Sequence, residues 1–260
     1  MKINNLFDGK KYEKHSQIQR GFGSGLISGL TLKGDEKILD LGCGNGLTTK
    51  ELAGLVPKGK VVGVDWSISM LETARTHKTG NMELILLDIN EMSFDNEFDV
   101  VFSNSTLHWV LDHEKLLENI RSALKCEGFM RLQFAADGNC PDFIEILRNT
   151  IKLPEFNEYF KNFTWPWNMP KPKDYEKLVR KTGFLNYKVW GECVSHRFPD
   201  ENALTRWVDQ PGIIPFVAVL PKGVRELFRN SVIENMKEKT KQADGAYVEI
   251  FGRINVYAEK

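Results

Sequence analysis

The sequence predicts an α/β protein built on a doubly wound, mostly parallel seven-stranded sheet. Three observations carry that reading. Short apolar runs alternate with amphipathic stretches from residue 36 to residue 136, the pattern of strands buried on both faces and separated by helices. The first run ends in an acid and then three glycines at alternate positions, Asp40-Leu41-Gly42-Cys43-Gly44-Asn45-Gly46. The last segment, 246–260, has the aromatic and β-branched content of a long closing strand.

The elements follow in order. "EKILDL" (36–41) reads as a buried strand and "LTTKELAGLV" (47–56) as a helix. "KVVGVD" (60–65) is a second strand, and 67–77 a helix for which Ser67 is suited as N-cap. Residues 82–88 and 98–104 supply two more strands. In 112–125, Leu116, Leu117, Ile120 and Leu124 recur at helical spacing, with Asp112 near the start and His113 expected at the surface. Residues 128–136 make a fifth strand, so 34–136 is the α/β core. From 137 to 182 the chain is rich in aromatics and prolines, too apolar for a disordered linker. It predicts a helical cap inserted after the fifth strand. Residues 183–260 return to the core: a strand, a turn and more extended chain over 184–198, helices at 201–210 and 223–239, and the terminal strand.

The 260 residues carry 35 basic and 35 acidic side chains. A protein that grips nucleic acid through phosphates carries a basic excess or a basic run; neither appears, and a nucleic-acid partner is not expected. Cys43, Cys126, Cys140 and Cys193 have neither metal-ligand spacing nor a disulfide pattern, so no metal is expected. The N-terminus is polar, without a signal-like apolar core, and no apolar run approaches the ~20 residues of a membrane span. A cytoplasmic protein without membrane contact is the expectation.

The glycine spacing has chemical content. Gly-x-Gly-x-Gly differs from the Gly-x-Gly-x-x-Gly that cradles a pyrophosphate, and no Gly-Lys-Ser/Thr follows. Asp40, two residues before Gly42, would repel a pyrophosphate and suits a ligand bearing an ammonium and a sulfonium. Asp65 ends the second strand, where a carboxylate accepts ribose hydroxyls. Trp66 beside it can cover an adenine, and Asp88 ends the third strand, placed for an adenine amino group.

"ILDLGCGNG", "VVGVDWSISMLETAR", "LILLDI" and "FDVVFSNSTLHWVLDHEKLLENIRSALKCEGFM" resemble the successive motifs of the class I S-adenosylmethionine-dependent methyltransferases. Within that class the chain is most similar to the trans-aconitate 2-methyltransferase and malonyl carrier-protein O-methyltransferase group: "NSTLHWVLDH", "DYEKLVRKTGFLNYKVW" and "RWVDQPGIIPF" carry the likeness to the former, and the latter are similar in the first half. The resemblance implies a Rossmann-like core and S-adenosyl-L-methionine as cofactor, leaving S-adenosyl-L-homocysteine. It implies cofactor contacts at Asp40, Gly42, Gly44, Asp65, Trp66, Asp88, Ile89 and Asn104. It also makes 1–33 a lid of N-terminal helices, with Tyr12 and Gln17 closing over the methionine end. One departure matters: where aconitate-type relatives carry Arg, this chain has Ile214, within the apolar "GIIPFVAVLP". Arg197, Arg206 and Arg253 fall in segments that can reach the mouth of the site instead.

His108 and Trp109 follow the fourth strand. His108 reads either as a general base or as a histidine that shapes the pocket. Trp109, Trp165, Trp167 and Ile214 are candidate acceptor walls, against the alternative that aromatics in a small cap form only its core. The expected function is methylation of a small-molecule acceptor, with a carboxylate as a candidate, by a monomer or homodimer. A carboxylate is already ionised at neutral pH and needs no base; an amine, phenol or carbon acid would need one. The alternatives are a nucleic-acid or protein methyltransferase and a non-catalytic S-adenosylmethionine-binding protein.

Overall fold

The computed structural model describes residues 9–210 and 212–260. The first eight residues of the expected lid segment lie outside them. The described chain opens with helices α1 (Gly9–His15) and α2 (Gln17–Ser28). Strands and helices then alternate: β1 (Lys37–Leu41), α3 (Leu47–Leu55), β2 (Lys60–Asp65), α4 (Ile68–Arg75), β3 (Met82–Leu86), β4 (Phe98–Asn104), α5 (His113–Ala123) and β5 (Leu124–Ala135). After them come α6 (Pro141–Thr150), α7 (Pro172–Lys181), β6 (Leu185–Phe198), α8 (Glu201–Val208), α9 (Ile214–Ala218), α10 (Lys222–Thr240) and β7 (Tyr247–Glu259).

The sheet has seven strands in the order β3-β2-β1-β4-β5-β7-β6. β1 to β5 pair in parallel, with Asp40 opposite Gly63 on one side and Phe102 on the other, and β7 runs antiparallel to β5. Strand order therefore reverses between β1 and β4, and in open α/β sheets the carboxyl ends at such a reversal frame the ligand crevice.

Alternate residues of each strand feed two cores. Ile38, Val61, Val100 and Phe102 pack with Leu26 of α2 and Leu52 and Ala53 of α3. Leu39, Leu41, Val62, Val64 and Val101 pack with Leu116, Leu117 and Ile120 of α5 and Tyr175 and Val179 of α7. Because both faces are covered, the strands read as unbroken apolar runs. Two caps fix where helices begin. Ser67 Oγ accepts the Met70 N–H at 3.4 Å, and an Asp112 carboxylate oxygen accepts the Lys115 N–H at 3.0 Å.

Two local expectations are corrected. Residues 184–198 contain no turn: β6 runs unbroken for 14 residues. Gly191 is where another chain segment comes close, since a Cβ there would stand 2.9 Å from Pro172 Cγ. His113 is buried rather than at the surface. Its Nε2 lies 3.1 Å from the Leu107 carbonyl, and its ring packs on Phe134 and Tyr175. It stands three and four residues before Leu116 and Leu117, so it shares their inward face.

The described chain divides into two compact units, with boundaries inside β6 and β7. One comprises 9–137, 167–192 and 253–260 and holds both cores above. The other comprises 138–166, 193–210 and 212–252. Its interior is aromatic: Phe163 lies 4.9 Å from Phe216 between ring centres, Phe156 lies 5.1 Å from Phe228, and Trp207 packs on Phe143, Phe198 and Phe251. Buried Glu249 accepts the Phe143 N–H at 2.9 Å, holding the start of α6. Among the described residues, no helix is long and apolar enough to cross a membrane.

Candidate active site

The turn from β1 into α3 is built on backbone. The N–H groups of Gly42 and Cys43 both donate to the Val64 carbonyl, at 2.9 and 3.0 Å, which docks the turn on β2. Gly42 and Gly44 have φ of 71° and 55°, in the left-handed region. They serve different ends. A Cβ on Gly42 would sit 2.1 Å from Thr106 Cγ2, so that glycine admits the loop after β4. A Cβ on Gly44 would meet nothing within 4 Å, so its bare backbone borders open space.

Two carboxylates bracket this turn. Asp40 is buried, and its Oδ2 accepts the Thr49 hydroxyl at 2.7 Å. Burial pushes it up to about 7, against the pull of that bond and with the charge of Asp65 adding to the rise. Asp65 accepts the Gly44 N–H at Oδ2 and the Ser67 N–H at Oδ1, both at 2.9 Å, joining the turn to the start of α4. Burial raises it to about 6 despite those bonds. A carboxylate offers roughly four lone-pair sites, so Asp65 keeps acceptor capacity for hydroxyl donors. Two desolvated acids that repel each other favour a ligand bringing positive charge and N–H or O–H donors.

The remaining expected cofactor contacts lie at or just past the ends of β2, β3 and β4 and on α1 and α2. Trp66 is half-buried next to Asp65. Asp88 accepts the backbone N–H and side-chain amide of Asn90, at 2.9 and 2.8 Å, at the head of a 3-10 turn that begins with buried Ile89. Tyr12 of α1 has its hydroxyl pushed up to about 12, first by burial and then by Asp65, with Arg253 pulling the other way. Gln17 is exposed, whereas its neighbours turn inward. Ser16 Oγ and Gln19 Oε1 are buried without a hydrogen-bond partner among the described residues. The Gln19 carbonyl accepts the Asn104 side-chain amide at 2.9 Å, tying α2 to the end of β4.

Past β4 the chain forms a 3-10 turn, Leu107–Trp109. His108 Nδ1 is buried without a hydrogen-bond partner among the described residues. Burial first, then the charges of Arg253 and His113, push His108 down to about 3, so its ring is neutral at working pH. Trp109 meets Trp167 edge to face at 5.7 Å. The backbone N–H of Asn168 donates to the His108 carbonyl and its side-chain amide to the Leu111 carbonyl, both at 2.9 Å, pinning 167–168 onto this turn. Trp165 and Ile214 belong to the other unit. There Trp165 packs edge-on against Phe216, under the Arg148 guanidinium at 4.5 Å, and Ile214 begins α9 half-buried.

Of the three arginines, Arg197 pairs with Asp244 and Arg206 is exposed, both in the second unit. Arg253 is buried, donating from Nη2 to Ser105 Oγ at 2.7 Å, with its guanidinium 4.7 Å from the Phe22 ring centre. Sequence reading passed over Ser16, Gln19, Thr49 and Ser105. Each is a small or amide side chain of a type common on any surface, and only a buried polar atom or a bond to a distant residue singles it out.

A methyltransferase domain family model matches residues 32–183. The trans-aconitate 2-methyltransferase of Rhodopseudomonas palustris (strain BisB18) is 26% identical over 98% of this chain and 99% of its own length. The juvenile hormone acid O-methyltransferase of Bombyx mori is 31% identical over 78% of this chain and 74% of its own. Among solved structures, the YcgJ protein of Bacillus subtilis superposes with a TM-score of 0.63 at 14% identity, covering 93% of this chain and 98% of that one. Phosphoethanolamine N-methyltransferase 2 of Haemonchus contortus, in complex with phosphomonomethylethanolamine and S-adenosylhomocysteine, gives 0.57 at 22% identity, covering 92% of this chain and 52% of that one. With a glycine turn and buried strand-end acids at the sheet's reversal and a family match over more than half its length, the chain belongs to the methyltransferase domain family and is an S-adenosylmethionine-dependent methyltransferase.

Proposed function

We propose that this enzyme methylates the carboxylate of a small molecule with substantial apolar surface, giving a methyl ester. The observation that carries the reading is His108. It is the titratable ring at the turn after β4, and it is held neutral with a pKa near 3, far too weak a base to take a proton from an amine or phenol. A carboxylate acceptor removes that need, since it is ionised at neutral pH. When bound, S-adenosylmethionine supplies an electrophilic methyl group. Its transfer to a carboxylate oxygen would leave the electron pair of the broken carbon–sulfur bond on sulfur and would move no proton, so no side chain of the enzyme need act as a base. The chain's own part is then alignment and exclusion of water.

In this reading Asp65 accepts the ribose hydroxyls, Trp66, Asp88 and Ile89 hold the adenine, Gly44 offers bare backbone, and Gly42 lets the turn close against Thr106 beside it. Asp40 answers the cofactor's positive charge through the turn, and Asn104 sits at the methionine end. Tyr12 and Gln17 belong to the closing segment, joined by Ser16 and Gln19, whose buried polar atoms lack partners among the described residues. His108 orients the acceptor as a neutral hydrogen-bonding ring, and Trp109 and Trp167, which meet edge to face, form a wall beside it. The names of two relatives, trans-aconitate 2-methyltransferase and juvenile hormone acid O-methyltransferase, point to acid acceptors. The Trp109–Trp167 pair beside His108 favours the less charged kind, because each unpaired buried carboxylate costs several kcal/mol.

Turnover of labelled cofactor tests this. A panel of apolar mono-acids, trans-aconitate, and matched amines and phenols should give the highest kcat/KM for an apolar mono-acid, with little pH dependence between 7.5 and 9. Preference for an amine or phenol, or a rate climbing with pH through that range, would overturn the carboxylate reading.

A further inference from the structure

We infer that Arg253, held by Ser105 and Phe22, fixes the acceptor's carboxylate; the inference rests on the carboxylate reading proposed above. Among the described residues Arg253 is the one lysine or arginine that is buried. It lies opposite Ala135 in the β5–β7 register, at the carboxyl end of β5 and beside the carboxyl end of β4. That is the edge of the sheet where α/β proteins bind ligands. Its charge is felt at both Tyr12 and His108, so the guanidinium lies near both side chains.

The group is also held in place. Its Nη2 donates to Ser105 Oγ at 2.7 Å, the Ser105 hydroxyl donates to Asn104 Oδ1 at 3.2 Å, and the Asn104 amide donates to the Gln19 carbonyl at 2.9 Å. One chain of hydrogen bonds thus runs from β7 through the loop after β4 to α2. Phe22 of the same helix lies against the guanidinium. Ser105 has φ of 58°, a left-handed conformation unusual for a residue with a side chain, and its N–H is anchored on the Gln133 carbonyl at 2.7 Å. Strain of this kind gathers where a side chain must be aimed.

The chemistry asks for such a group. A carboxylate nucleophile must shed water to attack, and a desolvated carboxylate is costly unless a fixed cation faces it. Arginine cannot titrate away, and its planar fork suits a carboxylate. Bonding to one oxygen leaves the other for the methyl group. Once the ester forms the anion is gone and that attraction lapses, which favours release.

Dodecanoate serves as the mono-acid probe, dodecanol as its neutral counterpart and S-adenosylhomocysteine as the cofactor probe, each titrated by calorimetry alongside dodecanoate turnover. Arg253→Gln should weaken dodecanoate binding to the S-adenosylhomocysteine complex at least about 30-fold, leave dodecanol unchanged and keep S-adenosylhomocysteine within about twofold. Arg253→Lys should fall between Gln and the native residue. Should Arg253→Gln fail to fold, Ser105→Ala decides instead: freeing the guanidinium should raise KM for dodecanoate more than it lowers kcat. Dodecanoate affinity unchanged in a folded variant, or dodecanol and dodecanoate weakened alike, would overturn the inference. So would S-adenosylhomocysteine weakened in step with dodecanoate, which would assign Arg253 to the cofactor. If the native enzyme methylates no acid, the carboxylate reading falls, and this inference with it.

Discussion

Asp65 spends two of its acceptor positions on the Gly44 and Ser67 N–H groups, so it builds the turn as well as facing the ligand. Asp65→Ala should therefore weaken S-adenosylhomocysteine binding by roughly 1–3 kcal/mol through lost charge-assisted bonds, as read by calorimetry. A pH effect follows from the same side chain. Its pKa near 6 in the ligand-free protein means that acidification below 6 protonates it and removes an acceptor. Affinity for S-adenosylhomocysteine should level off by pH 8 and fall on acidification through pH 6, less steeply in Asp65→Ala than in the native protein. Gly44→Val should bind none while remaining folded: the left-handed φ of 55° costs roughly 1–2 kcal/mol for a residue with a Cβ, and the side chain enters the open space bordered by that backbone. Asp40, Gly44 and Asp65 were legible because strand-end acids and spaced glycines break an apolar pattern, and the fold does bring them together. Ser105 and Gln19 were not, because a hydroxyl or amide gains meaning only from neighbours distant in sequence, here residues 253 and 104. His113 was misread as a surface group because a histidine beside a cap looks polar until its ring is seen against Phe134 and Tyr175.

At the scale of the element, α5 shows why the core was readable. Its apolar residues recur at helical spacing, and Asp112 supplies the side chain that accepts the Lys115 N–H. Asp112→Ala should lower stability by about 1 kcal/mol in denaturant unfolding, with S-adenosylhomocysteine affinity unchanged. β6 shows the limit. Glycine in an extended run signals either a turn or a close approach, and the partner that decides between them, Pro172, lies far back in the chain. The aromatic stretch 160–167 raised the same ambiguity between core and pocket. Trp165 faces Phe216 within one unit, while Trp167 meets Trp109 in the other, so neighbouring tryptophans of similar sequence context take different surroundings.

For the molecule as a whole, buried acids set the response to pH. Asp40 and Glu249 both stand near 7 in the folded chain, above their ordinary values of 3.8 and 4.5. The folded state thus binds more protons than the unfolded one in that interval, and the stability these groups contribute is full at low pH and lost as pH rises through 7. His108 and His113 act oppositely. Held near 3 and 4, below an ordinary 6.5, they withdraw stability only as pH falls under 6.5. Between pH 8 and pH 6.5 the acids outweigh the histidines, and the ligand-free protein should gain on the order of 1 kcal/mol on acidification across that window, read as a higher melting temperature. Replacing both acids by their amides should flatten that profile.

The paired acids around the glycine turn have a thermochemical consequence. A site that keeps Asp40 and Asp65 partly protonated near neutrality is a small reservoir of hydrogen ions, and a sulfonium ligand with hydroxyl donors favours their ionised forms. Filling the site then expels protons into the medium. The heat measured near pH 6.5 should differ between buffers in proportion to their ionisation enthalpies, and should be more exothermic in a high-enthalpy buffer such as imidazole than in phosphate, because taking up the released proton liberates heat. The slope of heat against buffer enthalpy counts the protons expelled, and it should shrink toward zero by pH 8, where both acids have already given theirs up.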